Sequence, residues 1–174
     1  MVRWFLALAV AGGLLLAADT TLGFVAAPTD GPPAAGRVVR RLVSLLAGAA
    51  VAGAHATVLA YFAATGRWAE ATARAEGLPD WYSAQAIRNR RRVFAFVAGG
   101  TITATASAAL GVAGASYAAW HLGAAATALS FNLGSFAVEY AAISGHLRLL
   151  MELDNHADRL RAGRAEPEPE RAGG

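Results

Sequence analysis

The 174-residue chain contains neither cysteine nor lysine. Without cysteine there is no disulfide, no thiolate metal site and no cysteine nucleophile, so a metal would have to rest on carboxylate and imidazole. The missing lysine leaves fifteen arginines as the whole basic set, which we read as a compositional bias of the genome rather than as a signal. Charge is scarce as well: 16% of residues are charged against 56% hydrophobic, and the mean hydropathy is +0.40. Such a balance points to a membrane protein rather than a soluble domain. A glycine-rich phosphate loop, an H-x-x-x-H or H-E-x-x-H metal spacing and a serine nucleophile elbow are all absent. No residue is therefore given a catalytic role.

What the chain does have is four apolar runs of membrane-spanning length, predicting an all-α integral membrane bundle of four transmembrane helices. The spans fall at about 4–26, 38–64, 93–117 and 120–151, counted at about 1.5 Å per residue against a hydrocarbon core of about 30 Å. The first run resembles a signal peptide in having Arg3 before it and small residues at its end, but Pro28 follows the candidate cleavage position and the run is long. It is expected to stay as a helix. Residues 28–36, PTDGPPAAG, read as a turn. Small residues at Gly48, Ala52 and Ala56, and at Ser107, Gly111 and Ala115, provide faces on which helices approach closely in lipid. Residues 116–123 are short and uncharged, predicting a hairpin between the third and fourth spans.

The one long polar stretch, 65–92, breaks at Gly77-Leu78-Pro79 and is expected to form an interfacial helical segment between the second and third spans. Trp68 and Trp81 belong at the headgroup level. Arg88, Arg90, Arg91 and Arg92 stand directly before the third span, where anionic lipid phosphates are the expected partner and nucleic acid is not. The fourth helix continues past the hydrocarbon through Leu153, Ala157 and Leu160, and 161–174 is expected to be a disordered tail because it is polar and proline-rich. Six arginines lie within 66–92 and none between the third and fourth spans, which orients the chain as a multi-pass protein of the cell inner membrane with both termini cytoplasmic. Arg37, Arg40 and Arg41 run against that orientation.

Inside the apolar runs a few polar groups remain. Asn132, Glu139 and His146 recur every seven residues in the last run, on one stripe of a helix. Depth counting places His55 and Glu139 together, both about 6 Å to the cytoplasmic side of their span centres, and pairs Asp19 with Asn132 on the outer side. An ionisable side chain at such depth costs at least about 2.5–3.5 kcal/mol and therefore takes a partner or a function. Haem b held by His55 and His146 is the cofactor to weigh, since bis-imidazole ligation suits a four-helix bundle. The count disfavours it, because it sets His146 some 10 Å below His55 and near the interface, and His121 at the opposite interface.

Two functions follow. One is a non-enzymatic subunit or accessory protein of a membrane complex, meeting a partner chain or a second copy of itself. The other is a proton- or redox-linked membrane protein using His55 and Glu139 as a proton or ion path or as a quinone or haem contact.

Overall fold

A computed structural model describes residues 2–26, 34–113 and 117–165. Most of the turn expected over 28–36, part of the hairpin at 116–123 and the tail beyond Ala165 lie outside these residues. All the regular structure described is α-helical apart from a residue or two at the turns: α1 is Val2–Ala26, α2 Ala34–Glu76, α3 Trp81–Ala113 and α4 Ala118–Ala165.

Each helix buries residues at alternating spacings of three and four. On α1 the series is Phe5, Ala9, Gly12, Leu16, Asp19 and Gly23; on α3 it is Val93, Val97, Gly100, Ala104, Ser107 and Gly111. Such a repeat averages 3.5 residues and directs one seam at neighbouring helices that cross at a shallow angle, the geometry of four-helix bundles. Each helix packs on the next in the chain, α1 also closes against α4, and α2 and α4 meet across the diagonal. The register is antiparallel between sequence neighbours: Gly12 lies against Val51 of α2, and Asp19 further along α1 meets Ser44 earlier along α2. The main core joins Phe5, Leu16, Val51, Val58, Phe62, Val93, Val97, Phe136 and Ile143.

Three helices, α1, α2 and α3, are long and apolar enough to cross a membrane, whereas α4 is not. The fourth run falls short because Asn132, Glu139 and His146, with Ser130, Ser135 and Ser144, dilute its apolar residues.

The expected interfacial segment is corrected. Residues 65–76 and 81–92 do not form separate short pieces but continue the second and third spans, making α2 43 residues long, about 64 Å at the standard rise. The break itself lies at Gly77, whose φ of +67° is left-handed, and Leu78 N donates to Ala73 O at 2.8 Å. This is a glycine-terminated helix end of the Schellman type. The protruding ends of α2 and α3 then pack with the end of α4 into a second core of Ala69, Ala73, Leu78, Tyr82, Ala86, Leu149, Leu153 and Ala157. Four of its eight members are alanine, so three helices approach closely through a stripe that carries little hydropathy.

The start of the expected disordered tail is corrected too, since α4 stays helical to Ala165. Arg161 Nε donates to Glu76 Oε1 at 2.7 Å and Arg164 to Glu76 Oε2 at 3.1 Å, tying the end of α4 to that of α2. The Arg161 hydrogen bond, with the two guanidinium charges, holds the Glu76 carboxyl below its ordinary value of 4.5. A depressed carboxylate stabilises the fold above its unfolded value, and that stabilisation disappears as pH falls through the folded value. Amide hydrogen exchange over residues 157–165, corrected for its intrinsic pH dependence, should be slow at neutral pH and faster once the pH is well below the ordinary carboxylate value. Glu76→Gln should show the fast pattern already at neutral pH; unchanged protection in that variant would rule out the tether.

Candidate functional site

Among the described residues the buried polar side chains are Asp19, Arg40, Ser44, His55, Ser107, His121, Asn132, Ser135, Glu139 and His146. Most of them gather into layers.

In the central layer, His55 on α2 meets Asn132 and Glu139 on α4. Asn132 Nδ2 donates to Ala128 O at 2.8 Å and to Gly100 O and Thr103 Oγ1 at 3.3 Å. All three are acceptors, because Thr103 Oγ1 spends its own hydrogen on a carbonyl of Gly99 or Gly100. The amide orientation is thereby set, and Asn132 Oδ1 faces His55 Nε2 at 2.8 Å. His55 Nε2 must donate. The other ring nitrogen, Nδ1, stands 2.8 Å from Glu139 Oε1. That contact is close enough for strong attraction but out of line for a ring hydrogen bond, and both oxygens of the fully buried carboxyl lack any other partner.

A bare Nδ1 lone pair against a bare carboxylate would be repulsive. With Nε2–H fixed, the contact is attractive only when the pair carries one further proton, on Nδ1 as imidazolium beside carboxylate or on the carboxyl beside neutral imidazole. Either way the couple is neutral overall, and moving the proton between the two groups creates no net charge in the core. Phe136 covers the imidazole with ring centroids 5.4 Å apart.

Gly100 makes this layer possible. A Cβ there would stand 2.6 Å from Asn132 Oδ1 and run into His55 Nε2.

A second layer lies nearer the start of α4, where all four helices contribute. Asp19 of α1 accepts from Ser44 Oγ at 2.5 Å and from Ser107 Oγ at 3.0 Å, and His121 Nε2 lies 3.3 Å from it. The expected partnership of Asp19 with Asn132 is thus corrected: Asn132 belongs to His55, and the acid of α1 meets His121, eleven residues earlier on α4. His121, expected at the far interface, has its ring fully buried in the bundle.

His146 is likewise fully buried in the bundle. Its Nε2 lies 2.9 Å from Thr65 Oγ1, which donates to Tyr61 O at 2.7 Å and so accepts from the ring. The imidazole is enclosed by Phe62 and Tyr61, with centroids 4.9 and 5.7 Å away. His156 contacts Tyr82 Oη at 3.2 Å within the second core.

The residues do not fit a bis-imidazole haem. Thr65 follows His55 by ten residues on α2, so His146 and His55 stand at levels about 15 Å apart, and both nitrogens of His55 are engaged. Among the described residues no group of three or more His, Asp or Glu is arranged to hold a metal ion. Arg88, Arg90, Arg91 and Arg92 are exposed, Arg88 being held by Gln85 at 2.7 Å. Trp68 and Trp81 are also exposed, near the break at Gly77.

Sequence reasoning missed Ser44, Thr65, Gly100 and Thr103. Their signal was positional: Ser44, Gly100 and Ser107 occupy the same three-four seam as the apolar core, where a small or hydroxylic residue has a packing or bonding reason to be.

No protein-family model, curated protein or solved structure matches this chain.

Gly100→Ala should destabilise the bundle by about 1–3 kcal/mol, because the added methyl must displace the His55–Asn132 contact. Gly53→Ala, with open space around its Cβ, should be neutral or slightly stabilising. Unfolding of both variants in detergent measures the difference, and equal stabilities would remove the close approach at Gly100.

Proposed function

We propose that the chain is a four-span protein of the cell inner membrane, with both termini cytoplasmic, in which the His55–Glu139 couple carries a transferable proton. The observation that carries this reading is the orientation of Asn132, which obliges His55 to present Nδ1 to an otherwise unpartnered carboxyl. A purely structural hydrogen bond would be served as well by two amides. Two groups that share one proton without net charge are, by contrast, suited to taking up and releasing protons in a low-dielectric core.

The crossing of the membrane by α4 is supported by its faces rather than its average. Asn132, Glu139 and His146 point inward, while Phe131, Leu133, Tyr140 and Leu147 are exposed at the same levels. The other helices follow suit, with Trp4, Leu6, Val10 and Leu14 exposed on α1 and Phe94 and Ile102 on α3. Polar inside and apolar outside is the arrangement that lipid requires. The arginines of the α2–α3 end, and those on α4 beyond Glu139, lie at one end of the bundle, in keeping with the cytoplasmic side. Arg88, Arg90, Arg91 and Arg92, together with Trp68 and Trp81, would there meet anionic headgroups.

A second reading, an accessory subunit of a larger membrane complex, is favoured by the cleft between α1 and α4. It has a volume of about 560 Å³ and is lined by apolar residues including Leu6, Val10, Leu14, Leu129 and Leu133. A partner helix or a second copy would fill it.

Infrared difference spectra of the purified protein in liposomes distinguish the readings. A protonated-carboxyl band that responds to pH in the wild type, disappears in Glu139→Gln and no longer responds in His55→Gln is the expected result. Its absence over the range in which imidazole and carboxyl titrate, together with a stoichiometric partner retained in mild detergent, would replace the proton-linked reading by the accessory one.

A further inference from the structure

The arginines at the α2–α3 end differ in what surrounds them. Arg88 is held by Gln85 at 2.7 Å. Arg67, Arg90 and Arg91, all exposed, make neither a hydrogen bond nor an ion pair among the described residues.

These three line a groove. A cleft of about 460 Å³ between α2 and α3 is walled by Leu59, Ala63, Arg90, Arg91 and Phe94, within the range of about 300–1,000 Å³ usual for ligand clefts. Arg90 is shared with a smaller recess of about 90 Å³, to which Gly66, Arg67 and Glu70 belong. Arg88 and Arg92 line neither.

The groove has a polarity along its length. Because α2 and α3 run antiparallel, Ala63 to Arg67 on one wall and Phe94 to Arg90 on the other both lead towards the turn at Gly77, each step covering about 6 Å. Both walls thus change from apolar to guanidinium in the same direction. A phospholipid has the same order, with acyl chains at the level of Leu59 and Phe94 and phosphate at the level of the arginines. Trp68, exposed beside Arg67, is a residue type that favours the headgroup level.

Charge selects the headgroup. Three guanidinium groups face one carboxylate, and Glu70 is already engaged by Arg74 at 2.7 Å. Like charges from different helices, Arg67 and Arg90, converge on one recess, an arrangement that an anion stabilises and a cation opposes. A phosphate diester suits the planar fork of arginine, which donates two hydrogen bonds at once. An ammonium on the same headgroup would be repelled.

We propose that the groove between α2 and α3 is a discrete site for one anionic glycerophospholipid, its phosphate seated by Arg90 with Arg67 and Arg91 and an acyl chain laid over Leu59, Ala63 and Phe94. The proposal rests on the reading of this end of the bundle as the one that meets anionic headgroups. It sharpens that reading by dividing the arginines: Arg67 joins the site, whereas Arg88 and Arg92 stand outside it.

The test counts lipid bound to the full chain in a zwitterionic detergent by native mass spectrometry, with dioleoylphosphatidylglycerol and dioleoylphosphatidylcholine as probes. The wild type should bind one phosphatidylglycerol at least about tenfold more tightly than phosphatidylcholine. Arg90→Gln, and Arg67→Gln combined with Arg91→Gln, should each weaken phosphatidylglycerol at least about fivefold, and Arg88→Gln and Arg92→Gln less than about twofold. Gly66→Leu, at a position where a Cβ meets nothing within 4 Å, fills the recess without altering charge and should also weaken it at least about fivefold. Equal losses across the arginine variants, an unaffected Gly66→Leu, or displacement of the lipid by inorganic phosphate at equal concentration would overturn the site while leaving a diffusely basic end. A wild type with no preference for phosphatidylglycerol would remove the headgroup reading and the site together.

Discussion

The structure depends on one constraint: a polar side chain removed from water must find its partner on another helix. All four histidines of the chain do so, His55 joining α2 to α4, His121 α4 to α1, His146 α4 to α2 and His156 α4 to α3. Interhelical hydrogen bonds between membrane spans average only about 0.6 kcal/mol, because the separated helices also find partners. An isolated ionisable group at the bilayer centre costs several times more. The bonds therefore contribute less to stability than to choice. A slip of α4 by one turn would strand His55, Glu139, Asp19 and His121 together, so the four levels act jointly on its register.

That register also needs helices close enough for short side chains to reach. Asp19 meets Ser44 and Ser107, two of the shortest donors available, and a Cβ at Gly111 would collide with the Ser44 side chain. Gly100 plays the same part for Asn132 and His55. Both glycines lie on α3, which supplies no ionisable group to either layer. It contributes the hydroxyls of Ser107 and Thr103 and an absence of bulk that lets the polar groups of α1, α2 and α4 converge.

The pairing of His55 with Glu139 was legible from depth counting, whereas that of Asp19 was not, and the geometry gives the reason. α2 and α4 run parallel, so an error in the assumed position of the membrane shifts both residues in the same direction. α1 and α4 run antiparallel, so the same error doubles, and the partner moved from His121 to Asn132. The second core was missed for another reason. Ala69, Ala73, Ala86 and Ala157 pack as tightly as larger residues when helices approach closely, yet they barely raise the apolar signal of 65–92. What stood out there was the arginines, which lie outside the contact.

In the fourth helix the polar residues that lower its mean hydropathy are the ones that the bundle encloses. Hydropathy averages over the circumference, and a functional stripe lowers the average whichever way it faces. On α4 the stripe is directed inward, so lipid would meet Phe131, Leu133, Tyr140 and Leu147 while the couple remains enclosed. Buried polar atoms without a hydrogen bond occur towards both ends, Tyr61 Oη and His146 Nδ1 at one and Arg40 Nε and His121 Nδ1 at the other. Of the two polar layers, the Asp19 cluster has both carboxyl oxygens hydrogen-bonded, whereas Glu139 meets only His55.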